Sequence, residues 1–277
     1  MTNPLTHALR GSRRTPAILL TAVALVLASL TPAFAQEGRS GTKPTVVLVH
    51  GAWADASSWT GVIERLQDDG YQVVAVANPL RSLSGDAAYV KTFLESLTGP
   101  IVLVAHSYGG AVITNAATGN PNIKSLVYVN AFAPDAGETA TQLAGPDSAL
   151  SADPTTVFDF VPANLPPGPG TDLYLKRSTV FTSFAPELSN DDKAVLTASQ
   201  RPATIGALNE PSDTPAWQTI PSRYLIGTND KIIPPSVQRA MAERAGSTIT
   251  EFDAGHVGLI TDPKTVTQVI KQAARTR

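Results

Sequence analysis

Short runs of aliphatic and β-branched residues alternate with amphipathic stretches over most of this chain, and this alternation strongly restricts its fold. The runs are four or five residues long and lie at 45–49, 73–76, 101–104, 126–129, 223–226 and 248–252. Patterns with helical spacing lie at 57–67, 87–97, 111–117, 237–245 and 264–273. Buried strands that alternate with helices indicate an α/β fold, in which a mostly parallel sheet carries helices on both faces.

The alternation stops between residues 133 and 216, which contain 11 of the 22 prolines. An interior proline removes a helical hydrogen bond and clashes with the preceding turn, so long regular helices are not expected there. Short apolar pieces remain, and a structureless segment of this length is unusual in a compact domain. We therefore predict a core made of residues 36–132 and 217–277, with residues 133–216 folded as a cap or lid.

The first 35 residues have the order of a secretory signal peptide. Three arginines and no acidic residue come first, then an apolar run at 17–30, then Ala33-Phe34-Ala35 before Gln36. The alternative is a membrane anchor, but the run is shorter than the ~20 residues that a span needs. We predict cleavage after Ala35 and a secreted or periplasmic protein that does not stay in the membrane. The sequence leaves the choice between general and twin-arginine export open.

Composition excludes several functional classes. The chain has 21 Lys and Arg against 23 Asp and Glu, whereas a nucleic-acid binder carries an excess of basic residues. It has no cysteine, which excludes disulfides, thiolate metal sites and a cysteine nucleophile. Nucleotide and zinc motifs are absent from the sequence, so we predict neither a metal nor a cofactor.

The third apolar run leads into AHSYGG at 105–110 and then into a helical pattern. A serine on such a strand-to-helix turn is held exposed above the sheet, and small residues two positions away let the chain bend tightly. The usual motif is Gly-x-Ser-x-Gly, and Ala105 replaces its first glycine. We interpret Ser107 as a nucleophile, with the amide of Tyr108 facing an oxyanion. The alternative is a strand–helix turn with an idle serine.

A serine nucleophile needs a general base, and three histidines lie beyond the predicted signal peptide. His106 adjoins Ser107 and should point into packing, and His50 ends the first strand and should brace a loop. His256 follows the last strand, so its loop can reach the carboxyl ends of the strands, where ligands bind in open α/β sheets. We predict His256 as the base, the alternative being a histidine that caps a loop.

The base needs a carboxylate that fixes its tautomer. Asp230 lies just after the fifth predicted strand, which gives the chain order Ser107, Asp230, His256. That order differs from the orders of the two common serine protease classes. Asp135, after the fourth strand, is the rival acid, and Asp253 is expected to be structural.

The loop after the first strand reads His50-Gly51-Ala52-Trp53 and should supply a second oxyanion donor. We predict the amide of Ala52 for this role, because Gly51 lets the backbone approach closely. Trp53 either lines a substrate pocket or is a core aromatic residue.

Five segments carry a resemblance to a known family and read HGAWADASSW, AHSYGG, AFAPDAGET, GTNDKIIPP and AGHVGLI. With Ser107 and His256 they resemble the α/β-hydrolase superfamily over residues 44–274, in particular a bacterial group related to pyrethroid-type esterases. That group is similar to the plant methylesterases and hydroxynitrile lyases. The resemblance implies a Ser–His–Asp triad, no cofactor, and a lid between the fourth strand and the strand that bears the acid.

Two departures refine what this resemblance implies. Little chain precedes Thr45, so the first two strands of the superfamily are expected to be missing, which leaves about six. The similar lyases carry a lysine directly after the catalytic histidine, whereas this chain has Val257. We therefore expect hydrolysis of small or medium esters, including hydrophobic esters or lactones, through an acyl-enzyme. A cofactor-free lyase and a non-catalytic small-molecule binder on the same fold are the alternatives.

Apolar residues of the insertion are candidates for the substrate site. Phe181 and Phe184, with Leu173 and Tyr174, could line an acyl or alcohol site. The alternative is that they form the small core of the lid itself. The sequence indicates no particular oligomeric state and no particular ester.

Overall fold

Six parallel strands form the central sheet of the described structure. The computed structural model describes residues 43–163 and 166–275, so the predicted signal peptide lies outside the described residues. The strands of this sheet are β1 Thr45–Val49, β2 Val73–Val76, β3 Ile101–Ser107, β4 Ile123–Ala131, β8 Ser222–Gly227 and β9 Thr248–Phe252, and their order in the sheet is β2-β1-β3-β4-β8-β9. The predicted α/β fold with about six strands is confirmed.

The strand order contains a reversal that locates a site. The chain goes from β1 outward to β2 and then returns to the other side of β1 to form β3. Such a reversal leaves a crevice at the carboxyl ends of the two adjacent strands, where ligands bind in open α/β sheets. The crevice here lies at the ends of β1 and β3, where His50 and Ser107 lie.

Helices cover the sheet, and every residue of β3 is buried. The helices outside the insertion are α1 Thr60–Asp68, α2 Leu83–Glu95, α3 Tyr108–Ala116, α9 Pro235–Arg244, α10 Gly258–Thr261 and α11 Pro263–Ala273. Helix α1 packs against α11, and α2 packs against α3. Helices α9 and α11 begin within two residues of their predicted starts, whereas α2 and α3 begin clearly earlier: α2 begins after Ser82, whose hydroxyl caps it by accepting from the Gly85 amide, and α3 begins directly after Ser107.

Most of the predicted insertion folds into short elements around a second, antiparallel sheet with the order β5-β6-β7. Its strands are β5 Phe158–Val161, β6 Asp172–Leu175 and β7 Ala203–Thr204. Its helices are α4 Ala140–Ala144, α5 Pro154–Val157, α6 Arg177–Thr179, α7 Asn190–Ser199 and α8 Ile205–Asn209, with a π-helical turn at Val180–Phe184. Core and insertion belong to one compact unit, Thr42–Arg277. The boundaries 133 and 216 stay a prediction.

Candidate active site

Ser107 stands on a strained turn between β3 and α3. Its backbone has φ +53° and ψ −127°, which is rare for a residue other than glycine and is typical of a nucleophile elbow. The two glycines after Tyr108 are needed because a Cβ on Gly109 would lie 2.7 Å from the Val49 carbonyl oxygen and one on Gly110 would lie 2.2 Å from that of Phe132. The small residues thus let the turn sit tightly on the ends of β1 and β4.

The structure brings Ser107, His256 and Asp230 into one hydrogen-bonded line. The Ser107 hydroxyl donates to His256 Nε2 at 3.0 Å, and His256 Nδ1 donates to the Asp230 carboxylate at 2.9 and 3.1 Å. All three side chains are buried. This arrangement fixes the tautomer in which Nε2 is free to accept the serine proton.

The rival acids have other partners. The Asp135 carboxylate accepts a hydrogen bond from the Ala136 amide, and that of Asp253 accepts one from the Asn229 side chain. Within the described residues neither carboxylate is hydrogen-bonded to His256.

Four further donors surround the Asp230 carboxylate. The amides of Ile232 and Ile233 donate to Oδ1 at 2.8 and 3.0 Å, and the side chains of Gln238 and Asn130 donate to Oδ2 at 2.9 and 3.1 Å. The four donors therefore hold the buried Asp230 carboxylate in one orientation.

Asn130 and Gln238 were not predicted from the sequence. The structure shows that both side chains are fully buried. The Asn130 amide also donates to the Gly255 carbonyl at 3.2 Å, so it connects the acid to the loop that carries His256. Its φ is +46°, a conformation that asparagine tolerates better than most residues. Asn130 directly follows the apolar run 126–129, and a polar residue at this strand end was the available signal.

We expect Asn130→Gly to lower kcat about tenfold, because it removes a hydrogen bond to a charged group while suiting the positive φ. The measurement is kcat and KM for a p-nitrophenyl ester, with the unfolding midpoint as a check on folding. Asn130→Asp is the matched variant: it keeps the shape, places a second carboxylate beside Asp230 and should be more damaging. Equal kcat in wild type and both variants would show that Asn130 does not position the acid.

The other two histidines are buried and brace backbone near the site. His106 donates from Nε2 to the His256 carbonyl at 2.9 Å. His50 accepts from the Asn78 amide at 3.0 Å and donates from Nδ1 to the Gly51 carbonyl at 2.9 Å. Burial lowers the pKa of His50 and holds the pKa of His106 well below its usual range. Both rings are therefore neutral supports of the loops.

These two pKa shifts predict that the fold loses stability in mild acid. Below about pH 6.5 the unfolded chain binds protons at both histidines more readily than the folded chain, so stability falls as the pH is lowered. His106, whose pKa lies well below its usual range, contributes about 1 kcal/mol of this loss at pH 5.5. Urea unfolding at pH 7.5, 6.5 and 5.5 measures the free energy of unfolding, and His106→Gln should make its dependence on pH less steep. Equal slopes for wild type and variant would contradict the assignment.

The two predicted oxyanion donors lie beside the nucleophile. Ala52 and Tyr108 line the same cavity as Ser107. A Cβ on Gly51 would lie 2.6 Å from the Ser107 Cβ, so only glycine allows the loop after β1 to come this close. Tyr108 is the first residue of α3, where an amide has no partner within the helix. The Tyr108 amide is thus left without a partner inside its helix, and the assignment of the Ala52 amide as second donor stays a prediction.

An apolar cavity of about 260 Å³ lies in front of Ser107. Trp53 is part of its wall, and the indole N–H of Trp53 donates to the Leu173 carbonyl of β6 at 2.8 Å. Its ring also stacks on Phe158 of the insertion, with ring centroids 5.8 Å apart. Trp53 is therefore both part of the pocket wall and a core aromatic residue, and it connects the loop after β1 to the insertion.

The two predicted phenylalanines of the insertion are not among the residues that line this cavity. Phe184 is buried behind the wall, against Trp53 and the His256 ring. The Phe181 ring lies against the guanidinium of Arg177, whose Cζ is 3.9 Å from the centroid of the phenyl ring. The prediction that they contact the substrate is corrected accordingly, because the π-helical turn directs both rings into packing. Phe132, Phe158 and Phe160 line the cavity in their place.

The described ranges 43–163 and 166–275 contain neither a metal-binding cluster nor a membrane-spanning helix. No group of three His, Asp or Glu side chains there could hold a metal ion. No helix there is long and apolar enough to cross a membrane.

Comparison with known proteins assigns the chain to a family. Residues 46–269 match the model of the alpha/beta hydrolase family. The chain is 26% identical to alpha/beta hydrolase nvfD of Aspergillus novofumigatus, covering 84% of this chain and 97% of that protein. It is 27% identical to methylesterase 18 of Arabidopsis thaliana, covering 82% and 96%.

A solved structure shows the same fold. A pyrethroid hydrolase from Sphingobium faniae superimposes with a TM-score of 0.66 at 20% identity, covering 83% of this chain and 97% of that one. The predicted resemblance to α/β hydrolases, plant methylesterases and pyrethroid-type esterases is confirmed. The chain belongs to the alpha/beta hydrolase family.

Proposed function

We propose that this protein is a serine esterase that cleaves small to medium carboxylic esters. The single observation that carries this proposal is the line of hydrogen bonds from Ser107 through His256 to Asp230, which opens on an apolar cavity. Methylesterase 18 is named for ester hydrolysis, and the pyrethroid hydrolase is named for hydrolysis of a pyrethroid. Their names and this geometry support the same reaction class.

The reaction follows from the positions of these groups. His256 accepts the Ser107 proton as Oγ attacks the ester carbonyl, and the amides of Ala52 and Tyr108 stabilise the resulting oxyanion. His256 then gives the proton to the leaving alkoxide, so an alcohol departs and an acyl group stays on Ser107. Water, activated by His256, releases the carboxylic acid. Asp230 stabilises the imidazolium in both halves.

An ester panel with an added nucleophile tests this proposal. The full chain should release p-nitrophenol from p-nitrophenyl butyrate, and methanol should divert part of the acyl group into methyl butyrate, because an acyl-enzyme can be intercepted. Binding without turnover across acyl chains of different lengths would instead favour the non-catalytic binder. Cleavage of a cyanohydrin in the absence of ester hydrolysis would favour the lyase.

Export by the N-terminal segment is a separate proposal that rests on sequence alone. Expression in a bacterium with both export routes, followed by N-terminal sequencing of the exported protein, should give Gln36 as the first residue. An exported protein that still carries residues 1–35 would overturn the cleavage site.

A further inference from the structure

The described wall of the cavity in front of Ser107 carries no charged side chain. Within residues 43–163 and 166–275 it is made of 19 residues, and none of them is Asp, Glu, Lys, Arg or His. The buried part is formed by aliphatic and aromatic side chains, such as Phe132, Ala144, Leu173, Leu208 and Ile232. An ester that reaches Ser107 must therefore place part of itself in an apolar enclosure.

The polar side chains at the rim of the cavity are already hydrogen-bonded within the protein. Thr141 donates to the Leu208 carbonyl at 3.1 Å, Ser151 to that of Gly145 at 2.6 Å and Asn209 to that of Ile205 at 2.9 Å. All three residues are exposed.

Away from the rim, the Tyr108 hydroxyl donates to the buried Asp86 carboxylate at 2.9 Å and the Trp53 indole N–H donates to the Leu173 carbonyl. The described wall of the buried part then offers Ser107 and the two predicted oxyanion amides to a polar part of a ligand. These three suit one ester carbonyl and offer no counter-ion to a charge elsewhere on the substrate.

We propose that the site selects esters that are neutral in the part that enters the cavity, and that it rejects anionic and cationic esters of the same shape alike. This inference rests on the proposed esterase function. A charged group loses its hydration in an apolar enclosure and gains no partner there.

Charges outside the cavity would act differently. A neighbouring surface cleft carries Arg81 and Glu210, and the Arg81 guanidinium already binds the Asp172 carboxylate at 2.5 Å and the Pro202 carbonyl at 2.6 Å. A field from such groups would favour one sign of charge and would weaken with salt. Loss of hydration disfavours both signs and persists in salt.

Three p-nitrophenyl esters of similar shape separate these explanations: the neutral 6-oxoheptanoate, the anionic hydrogen adipate and the cationic 6-aminohexanoate. We expect kcat/KM to be lower by roughly 100-fold for both charged esters than for the ketone, because an unpaired charge is costly to bury. The spontaneous rates are subtracted. The ratio of kcat/KM between each charged ester and the ketone should be the same at low and high salt.

A pair of rim variants connects the effect to this cavity. Thr141→Lys should raise kcat/KM for the adipate relative to the ketone about tenfold, and Thr141→Glu should do so for the 6-aminohexanoate, since each supplies a partner charge of opposite sign. Unchanged ratios in both variants would overturn the assignment of selectivity to this cavity.

The remaining outcomes distinguish this inference from the function beneath it. Three esters cleaved within about threefold of one another would overturn the inference and leave the esterase intact. Rejection of one sign alone, abolished by salt, would also overturn it. If the protein cleaves none of the three and a fluorophosphonate does not label it, the proposed function fails and the inference fails with it.

Discussion

Ser107→Ala is expected to lower kcat for p-nitrophenyl butyrate by about 10⁵-fold, because the variant has no hydroxyl to form the acyl-enzyme. The two amides of the oxyanion site and the cavity are untouched, so KM should change far less than kcat. Steady-state kinetics measures both parameters, with the spontaneous rate subtracted.

Ser151→Ala is the matched control, because Ser151 lines the same cavity and donates to a backbone carbonyl at its rim. Its kcat should stay within a few-fold of the wild type. Ser107→Gly suits the positive φ of the turn and should be as inactive as the alanine variant. Wild-type turnover in either Ser107 variant would show that another group attacks the ester.

Asp230→Asn is expected to lower kcat by about 10⁴-fold while the protein stays folded. An asparagine keeps the size of the side chain but cannot accept from all five donors that now point at the carboxylate. It also removes the charge that stabilises the imidazolium and the acceptor that fixes its tautomer. The loss should therefore be in kcat, measured with the same ester.

Asp135→Asn is the control for this variant, because Asp135 was the rival acid and its carboxylate instead accepts from a neighbouring amide. Its kcat should equal that of the wild type within a few-fold. A large loss in Asp135→Asn together with normal turnover in Asp230→Asn would move the acid to the loop after β4.

The residues of the proposed reaction could be predicted because each one sits at the end of an apolar run. Strand ends are visible in a sequence, and the carboxyl ends of parallel strands meet at one edge of the sheet. Ser107, Asp230 and His256 follow three such runs, so their proximity follows from the topology. The glycines at 109 and 110 also indicated the tight turn at Ser107, because such a turn leaves no room for a Cβ.

The supporting residues could not be predicted, because their roles depend on contacts between distant parts of the chain. Asn130 and Gln238 meet Asp230 only when β4, α9 and the loop after β8 are assembled. The roles of the insertion's phenylalanines depend on the direction of a π-helical turn, which apolar composition does not reveal. The start of α2 was likewise predicted too late, because the helix begins with buried Leu83 directly after the cap at Ser82.

Identification of the residue that a fluorophosphonate phosphonylates tests the account most directly. The full chain is treated with a fluorophosphonate, digested and sequenced by tandem mass spectrometry, in parallel with Ser107→Ala and Ser151→Ala. We predict one modification per chain, on Ser107, with loss of ester hydrolysis in proportion to labelling and no label in Ser107→Ala. A label on another residue that inactivates the enzyme would contradict the account. So would loss of the residual turnover of the Ser107→Ala protein at the rate at which the fluorophosphonate inactivates the wild type.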